Sequence, residues 1–514
     1  MKNHLFDGLL KTPPRERQFA EIPGAKNAPA RYYSYQDVHD VSGKFANLLV
    51  SWGVEAGDRV AVQIPKSIEA VMLYLACVRT GAVFLPLNTA YTANEVDYFL
   101  ANAGASLFIC DPEKRDGLVD VAKENNARLE TMGVYTKPDV FAGSLLDEGL
   151  DLDTTFENIP READDLAAIL YTSGTTGRSK GAMLTHDNLL SNSQALAGLW
   201  QFTKDDVLLH ALPIYHTHGL FVATNVAMLS GASLILLGGF NTDAVIEHLP
   251  KSTSLMGVPT FYTRLLDDER FNRDLVSHMR LFVSGSAPLL AETHIEFEER
   301  TGHRVLERYG MTETNMNTSN PFDGERRAGT VGFPLPGVSL RICDAVTGEE
   351  VGKQAIGIIE VKGPNVFPGY WKMPEKTAEE FRDDGFFITG DLGKIDADGY
   401  VQIVGREKDL IISGGFNIYP KEIELLLDDQ DGILESAVIG VPHKDFGEGV
   451  VGVVVANSGA SVDTEKLLAI IKPLIARFKQ PKHIFVLNEL PRNAMGKVQK
   501  NALREQFNNV FDCS

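Results

Sequence analysis

Tyr171-Thr-Ser-Gly-Thr-Thr-Gly-Arg-Ser-Lys-Gly181 is the stretch on which the fold turns. Before it, Leu166 to Leu170 spell a short apolar strand buried on both faces, and Gly181 to Leu184 a second strand, so the polar run lies at a strand end. Gly174 and Gly177 permit positive φ and close backbone approach. Thr172, Ser173, Thr175 and Thr176 offer hydroxyl donors, and Lys180 a cation. These are the parts of a loop that wraps a polyphosphate. It is not a Walker A loop, in which the lysine directly follows the second glycine, because Lys180 comes later than Gly177. A plain Ser/Thr/Gly surface turn is the alternative, and the unbroken polar run followed by Arg178 and Lys180 argues against it.

Outward from this loop, helix and strand alternate. Tyr35 to Trp52 and Ser67 to Arg79 carry helical apolar spacing around a strand at Arg59 to Gln63. The rhythm returns in strands at Val207–Leu212, Ser233–Leu237, Ser254–Gly257 and Met279–Val283, which predicts parallel α/β layers. From Val338 to Ile403 the texture changes to short strands with Gly and Asp turns, a smaller β-rich subregion. A boundary falls near Gly405-Arg406-Glu407-Lys408-Asp409, giving a large domain over 1–405 and a small, mobile α+β domain over 406–514. Within the small domain the expected elements are a helix at Pro420–Leu427, strands at Ser436–Gly440 and Gly449–Val455, a helix at Thr464–Phe478, and a strand at Ile484–Val486.

At 514 residues the chain exceeds one hydrophobic core, and 23% charged with 44% apolar residues is ordinary for a globular enzyme. A net charge of -20 disfavours nucleic-acid binding without excluding anionic substrates, whose site sets its own local field. Cys77, Cys110, Cys343 and Cys513 show no metal or disulfide spacing, which fits a reducing cytoplasm. The first residues do not form a secretory apolar region, and the apolar runs Ala70–Val78 and Ser233–Phe240 are too short to span a bilayer. Small-molecule partners are expected, with neither nucleic acid nor membrane.

Further motifs follow in order: Gly285-Ser286-Ala287-Pro288, Tyr309-Gly310-Met311-Thr312-Glu313, Thr389-Gly390-Asp391, Gly405-Arg406 with Lys408-Asp409, Ser413-Gly414-Gly415 and Gly496-Lys497. Together with the phosphate loop they resemble the adenylate-forming superfamily of acyl-CoA synthetases, firefly-type luciferases and peptide-synthetase adenylation domains, over nearly the whole chain. One departure is Ser179, where the family often has proline. The resemblance implies a two-step reaction, in which a carboxylate attacks the α-phosphate of ATP to give acyl-AMP and pyrophosphate, and coenzyme A then displaces AMP.

It also implies roles. Lys497 would stabilise charge at the carboxylate and α-phosphate. Glu313, following Thr312, suits Mg2+; a helix cap is its plainer alternative. Asp391, placed at a turn, would accept the ribose hydroxyls with help from Arg406, the alternative for both being a surface ion pair. Ser286, Ala287 and Pro288 with Tyr309 and Gly310 would form the adenine slot. Lys408 and Asp409 mark the hinge on which the small domain turns, and Gly415 would leave room for the pantetheine.

The segments that line the acyl pocket in this superfamily contain Tyr215-His216-Thr217-His218-Gly219 and Val258 to Arg264. Arg264 falls about one helical turn after Pro259 and is expected to point back into the cleft, where a buried guanidinium demands an anion. A second substrate carboxylate would satisfy it. The plainer alternatives are a surface arginine paired with Asp267 or Asp268, and core histidines at His216 and His218. Ile214–Gly219, Thr260–Leu266 and Arg308–Met316 resemble malonyl-CoA synthetases most, which implies Arg264 for the distal carboxylate, with His216, Ser284 and Met311 shaping a short pocket. The competing expectations are a medium-chain or aryl acid synthetase, a module that loads a carrier protein (disfavoured because no carrier domain is read after the last motif), and a non-catalytic nucleotide sensor or NTPase.

Overall fold

In the computed structural model the described residues are 3–11, 13–24, 29–134, 142–172, 179–345, 347–413, 416–444, 446–493 and 497–511. They fall into two compact units: residues 1–340 with 361–387, and residues 341–360 with 388–514. The β-rich stretch is shared between them, 341–360 and 388–403 grouping with the C-terminal residues and 361–387 with the first unit. The Val401–Arg406 strand is followed by the Glu407–Asp409 turn and then by Ile411–Ser413, a strand of another sheet.

The first unit is built on two sheets. In the six-stranded sheet the order is Arg128–Thr131, Leu107–Cys110, Arg59–Gln63, Val83–Pro86, Leu166–Thr172, Lys180–Thr185, parallel except for the last pair. That pair is antiparallel, with Tyr171 opposite Gly181 and Thr172 opposite Lys180, so the polar run joins two adjacent strands of one sheet. Residues 173–178 between them, which include Ser173, Gly174, Thr175, Thr176, Gly177 and Arg178, lie outside the described residues. The second sheet has nine strands, with a parallel centre of Leu306–Met311, Leu281–Ser284, Ser254–Gly257, Val207–His210, Ser233–Leu236 and Gln18–Ile22. Each of the four strands expected there forms, within two residues of its expected ends.

Helix Ile68–Thr80 is buried at every residue. A helix apolar all round must be covered all round, and Tyr74 shows by what. Its ring lies 5.4 Å from Phe84 of the first sheet and 5.7 Å from Phe221 in the helical segment His218–Thr224. That segment is bound to the second sheet through His210 Nε2 and Gly219 O, 2.8 Å apart. The apolar run Ala70–Val78 is therefore core, and among the described residues no helix is long and apolar enough to cross a membrane.

The second unit holds a four-stranded sheet, Ser339–Cys343, Gly357–Lys362, Phe387–Ile395 and Val401–Arg406, and a five-stranded one around Ile433–His443 and Gly447–Ala456. Alternate residues of Gly447–Ala456 face two cores: Val450 and Val454 pack with Ile423, Leu427 and Ile471, while Val451, Val453 and Val455 pack with Leu490, Leu503 and Phe507. The helix expected over Thr464–Phe478 stops at Ile471, because Pro473 has no N–H to donate into the helical ladder; the chain continues in 3-10 turns.

Candidate active site

Glu313 lies in the turn between antiparallel strands Leu306–Met311 and Asn315–Ser319, so it caps no helix. The hairpin is tight: a Cβ at Gly310 would sit 1.8 Å from Asn315 O, which only glycine avoids. Glu313 is 5% exposed, and its Oε1 lies 3.0 Å from the Tyr370 hydroxyl. The same hydroxyl donates to Glu380 Oε2 at 2.7 Å. Lys180, 9% exposed at the start of its strand, donates to Glu380 Oε1 at 2.9 Å and stands 4.0 Å from the Tyr370 ring centroid. Lys376 reaches the same Oε1 at 3.1 Å. Burial, reinforced by the two carboxylates, holds the Tyr370 phenol strongly protonated. Burial alone would raise the Glu380 carboxyl, but hydrogen bonds from Tyr370 and Lys180 outweigh it and hold its pKa below the usual range. Thr312, half-buried, lines a small cavity with Pro86, Asn88, Tyr171, Tyr215 and His216.

A second cluster surrounds the end of strand Leu281–Ser284. Ser284 is buried and its Oγ finds no partner. Ser286 adopts φ 71°, and its hydroxyl lies 3.2 Å from His218 Nδ1. Ala287 is half-buried and Pro288 exposed, while Tyr309 and Met311 are half-buried. His218 is buried; burial, then the Arg308 guanidinium, push its pKa well below the ordinary value, so it is neutral at physiological pH. His216 is half-buried, its ring against that of Tyr215.

Arg308 dominates this cluster. It is 4% exposed, its Nε and Nη2 have no hydrogen-bond partner, and burial brings its pKa down to about 9. Its guanidinium lies so close over Gly285 that a Cβ there would fall 2.3 Å from Cζ. Arg264 behaves otherwise. Helix Pro259–Leu266 buries Phe261, Tyr262, Leu265 and Leu266. At 100° per residue Arg264 stands about 200° from Tyr262, on the opposite face. It is exposed, not buried as expected, which agrees with the plainer alternative of a surface arginine, although Asp268 binds Arg270.

In the second unit, Asp391 is 3% exposed and pairs with Arg406 Nε at 2.5 Å, directly across two antiparallel strands. It lies within strand Phe387–Ile395, not at the turn expected; the left-handed residue is Gly390 before it, at φ 67°. The Thr389 hydroxyl accepts the Asp391 N–H at 3.0 Å. The Asp391–Arg406 pair is buried on its carboxylate side and so is more than a surface ion pair. Asp409 Oδ1 accepts from Arg504 at 2.8 Å, next to Lys408 in the Glu407–Asp409 turn. Lys497 is exposed, and its backbone closes a loop with Asn493 at 2.9 and 3.0 Å. Gly415 and Gly496 lie outside the described residues.

Sequence reasoning passed over Tyr370, Glu380, Lys376 and the charge of Arg308. For Arg308 a signal existed, a cation in a strand whose first half is wholly buried. For Glu380 none did, because its partner Lys180 is 200 residues away.

Comparison with known proteins supports one family. Residues 15–371 match the model of the AMP-binding enzymes, and residues 422–497 that of the AMP-binding enzyme C-terminal domain. The crystal structure of ATP-bound MatB from Rhodopseudomonas palustris is 56% identical, with a TM-score of 0.95 over 99% of this chain and 100% of that one. The malonate–CoA ligase of Arabidopsis thaliana is 33% identical over 89% of this chain and 79% of its own length. A long-chain-fatty-acid–CoA ligase of Bacillus subtilis is also 33% identical, over 92% and 90%. The buried carboxylates, the strand-end lysine and the Asp391–Arg406 pair are thus features of a chain that belongs to the AMP-binding enzyme family.

Proposed function

We propose that this protein ligates malonate to coenzyme A at the expense of ATP, through malonyl-AMP, with methylmalonate as a related substrate. The relatives support malonate, with malonate–CoA ligases at 33% and 35% identity, beside other CoA ligases such as the long-chain one at 33%. The observation that carries malonate is Arg308: a guanidinium buried without an anion, beside Ser284 and neutral His218. A buried charge is tolerated when a partner arrives to compensate it, and a second carboxylate on the substrate is that partner. Arg308 thereby takes the role expected of Arg264, while His216, Ser284 and Met311 bound a short pocket.

In the first step the other carboxylate of malonate attacks the α-phosphorus of ATP. The bond to the β-phosphate breaks and pyrophosphate leaves with its electrons. Lys180, Thr172 and the 173–177 loop hold the phosphates, Ser286 to Pro288 with Tyr309 and Gly310 hold adenine, and Asp391, steadied by Arg406, holds the ribose. Lys497 offsets charge developing between the carboxylate and the α-phosphoryl oxygens. In the second step the thiol of coenzyme A gives up its proton to solvent and attacks the acyl carbon, the mixed anhydride bond breaks, and AMP leaves; Gly415 is assigned to the thiol path, and Lys408 and Asp409 to the hinge between steps. Glu313, with the neighbouring Thr312 hydroxyl, is the residue to hold Mg2+. A single buried carboxylate fits a hard cation that keeps waters and phosphate oxygens as its other ligands, and the described residues contain no larger metal cluster. When bound, Mg2+ supplies charge neutralisation on the transferring phosphates. A cytoplasmic location accords with Cys77 and Cys110, which are buried free thiols.

Pyrophosphate release measured with acetate, malonate, methylmalonate, succinate and octanoate tests the assignment. Malonate should give the highest kcat/KM. Faster turnover of octanoate or acetate would reject it, and acid-independent release would remove the ligase reading altogether.

A further inference from the structure

Glu380 touches neither candidate nucleotide residues of the adenine slot nor the acid pocket, yet it collects three donors. The chain brings it there deliberately. Met183 N–H donates to Gly369 O at 3.1 Å and Trp371 N–H to Gly181 O at 2.8 Å, which straps residues 369–371 onto the strand that begins at Lys180. Thr377 Oγ1 then accepts from Tyr370 N–H at 2.9 Å, and the short helix Pro374–Glu379 delivers Glu380 at its C-terminal cap. The outcome is a chain of contacts, Lys180 to Glu380 at 2.9 Å, Glu380 to the Tyr370 hydroxyl at 2.7 Å, and that hydroxyl to Glu313 at 3.0 Å.

We propose that Glu380 is a positioning residue that fixes the Lys180 ammonium for the β- and γ-phosphates of ATP and, through Tyr370, steadies Glu313 at the other end of the polyphosphate. A lysine has a flexible stem and three N–H donors. Here one donor goes to Glu380 and the ammonium lies over the Tyr370 ring, so the loss of rotamer freedom is met before ATP arrives, while donors remain for phosphate oxygens. Competition between Glu380 and ATP for Lys180 is the opposing reading. The geometry argues against it. The Glu380 carboxylate is shared with Lys376 and the Tyr370 hydroxyl, and it engages one of the three Lys180 donors, so it orients the ammonium without enclosing it.

The inference rests on the proposed ATP-dependent function, and equilibrium binding separates the two. ATP and AMP would each be titrated into the full chain in EDTA and again with Mg2+, for wild type, Glu380→Gln, Lys180→Met and the double variant. AMP lacks the phosphates that Lys180 is assigned to hold. Glu380→Gln should raise the Kd for ATP by about tenfold, the size of one charge-assisted hydrogen bond, and leave that for AMP unchanged. The double variant should be no worse than Lys180→Met, since Glu380 acts through that lysine. Equal weakening of ATP and AMP would make Glu380 a support of the fold, and thermal melts of Glu380→Gln and Glu380→Asp would show the same. Unchanged or tighter ATP binding would leave it a spectator or a competitor. A wild type that binds no ATP would overturn the ligase reading too, whereas wild-type binding unaffected by Glu380→Gln overturns this inference alone.

Discussion

Arg308 sets function against stability in a single side chain. Left buried without an anion, its guanidinium burdens the ligand-free fold. Arg308→Met should therefore raise the Tm of the ligand-free protein, or leave it unchanged. Malonate use should fall by about thirty-fold or more, following a loss of roughly 2 to 5 kcal/mol for an uncompensated substrate carboxylate. Turnover of acetate, which has no distal carboxylate, should fall far less. Arg264→Ala in the same assay distinguishes the two arginines: a selective loss on malonate there, with Arg308→Met silent, would return the role to Arg264. A Tm that drops sharply in Arg308→Met would show that the guanidinium has a structural partner. Lys497 has its own signature: Lys497→Ala should cripple malonyl-AMP formation while thioester formation from supplied malonyl-AMP survives, and equal loss of both half-reactions would refute its assignment to the first step. The motif around Tyr309 to Glu313 was legible as chemistry because its hydroxyl, carboxylate and glycine are unusual together. Arg308, one residue earlier, was legible only as part of a string, since a charge shows its meaning through the burial of what surrounds it.

Among the elements, the helix Ile68–Thr80 is the most constrained. Tyr74 is wholly buried against Phe84 and Phe221, so Tyr74→Ala should cost roughly 3 to 5 kcal/mol, as deletions of large buried aromatic side chains do. Denaturant unfolding would measure it, and a loss under about 1 kcal/mol would mean that the surrounding rings collapse into the space. This helix and the parallel strands near it were legible because their apolar runs are long and bounded. The end of the helix at Ile471 was not, although Pro473 stood in the sequence: the apolar spacing of Leu467, Leu468 and Ile471 continues in Leu474 and Ile475, and outweighed the one residue that cannot continue a helix.

At the scale of the molecule the two units differ in the balance of buried groups that answer acid, although in the first the raised carboxyl of Glu307 opposes the histidines. In the first, burial lowers His39 and His186 to about 4, and His210 and His218 well below their ordinary value. Their folded pKa values are depressed, so the unfolded chain binds more protons and stability is lost as pH falls from about 6.5 toward 4; for a histidine such as His186 the full effect is about 3 kcal/mol. In the second unit burial raises Asp428 to about 6, so its contribution grows as pH falls and is lost as pH rises through that value. Hydrogen exchange at pH 7.5 and 5 should show protection falling first in residues 1–340. Earlier loss in residues 388–514 would contradict this balance. The shared helix has one more consequence. Because Tyr74 is common property of two sheets, neither sheet can open without uncovering it, and the first unit has no internal seam along which to unfold in stages. Its heat absorption should come as one calorimetric peak, and a proteolytic nick in one sheet should release both.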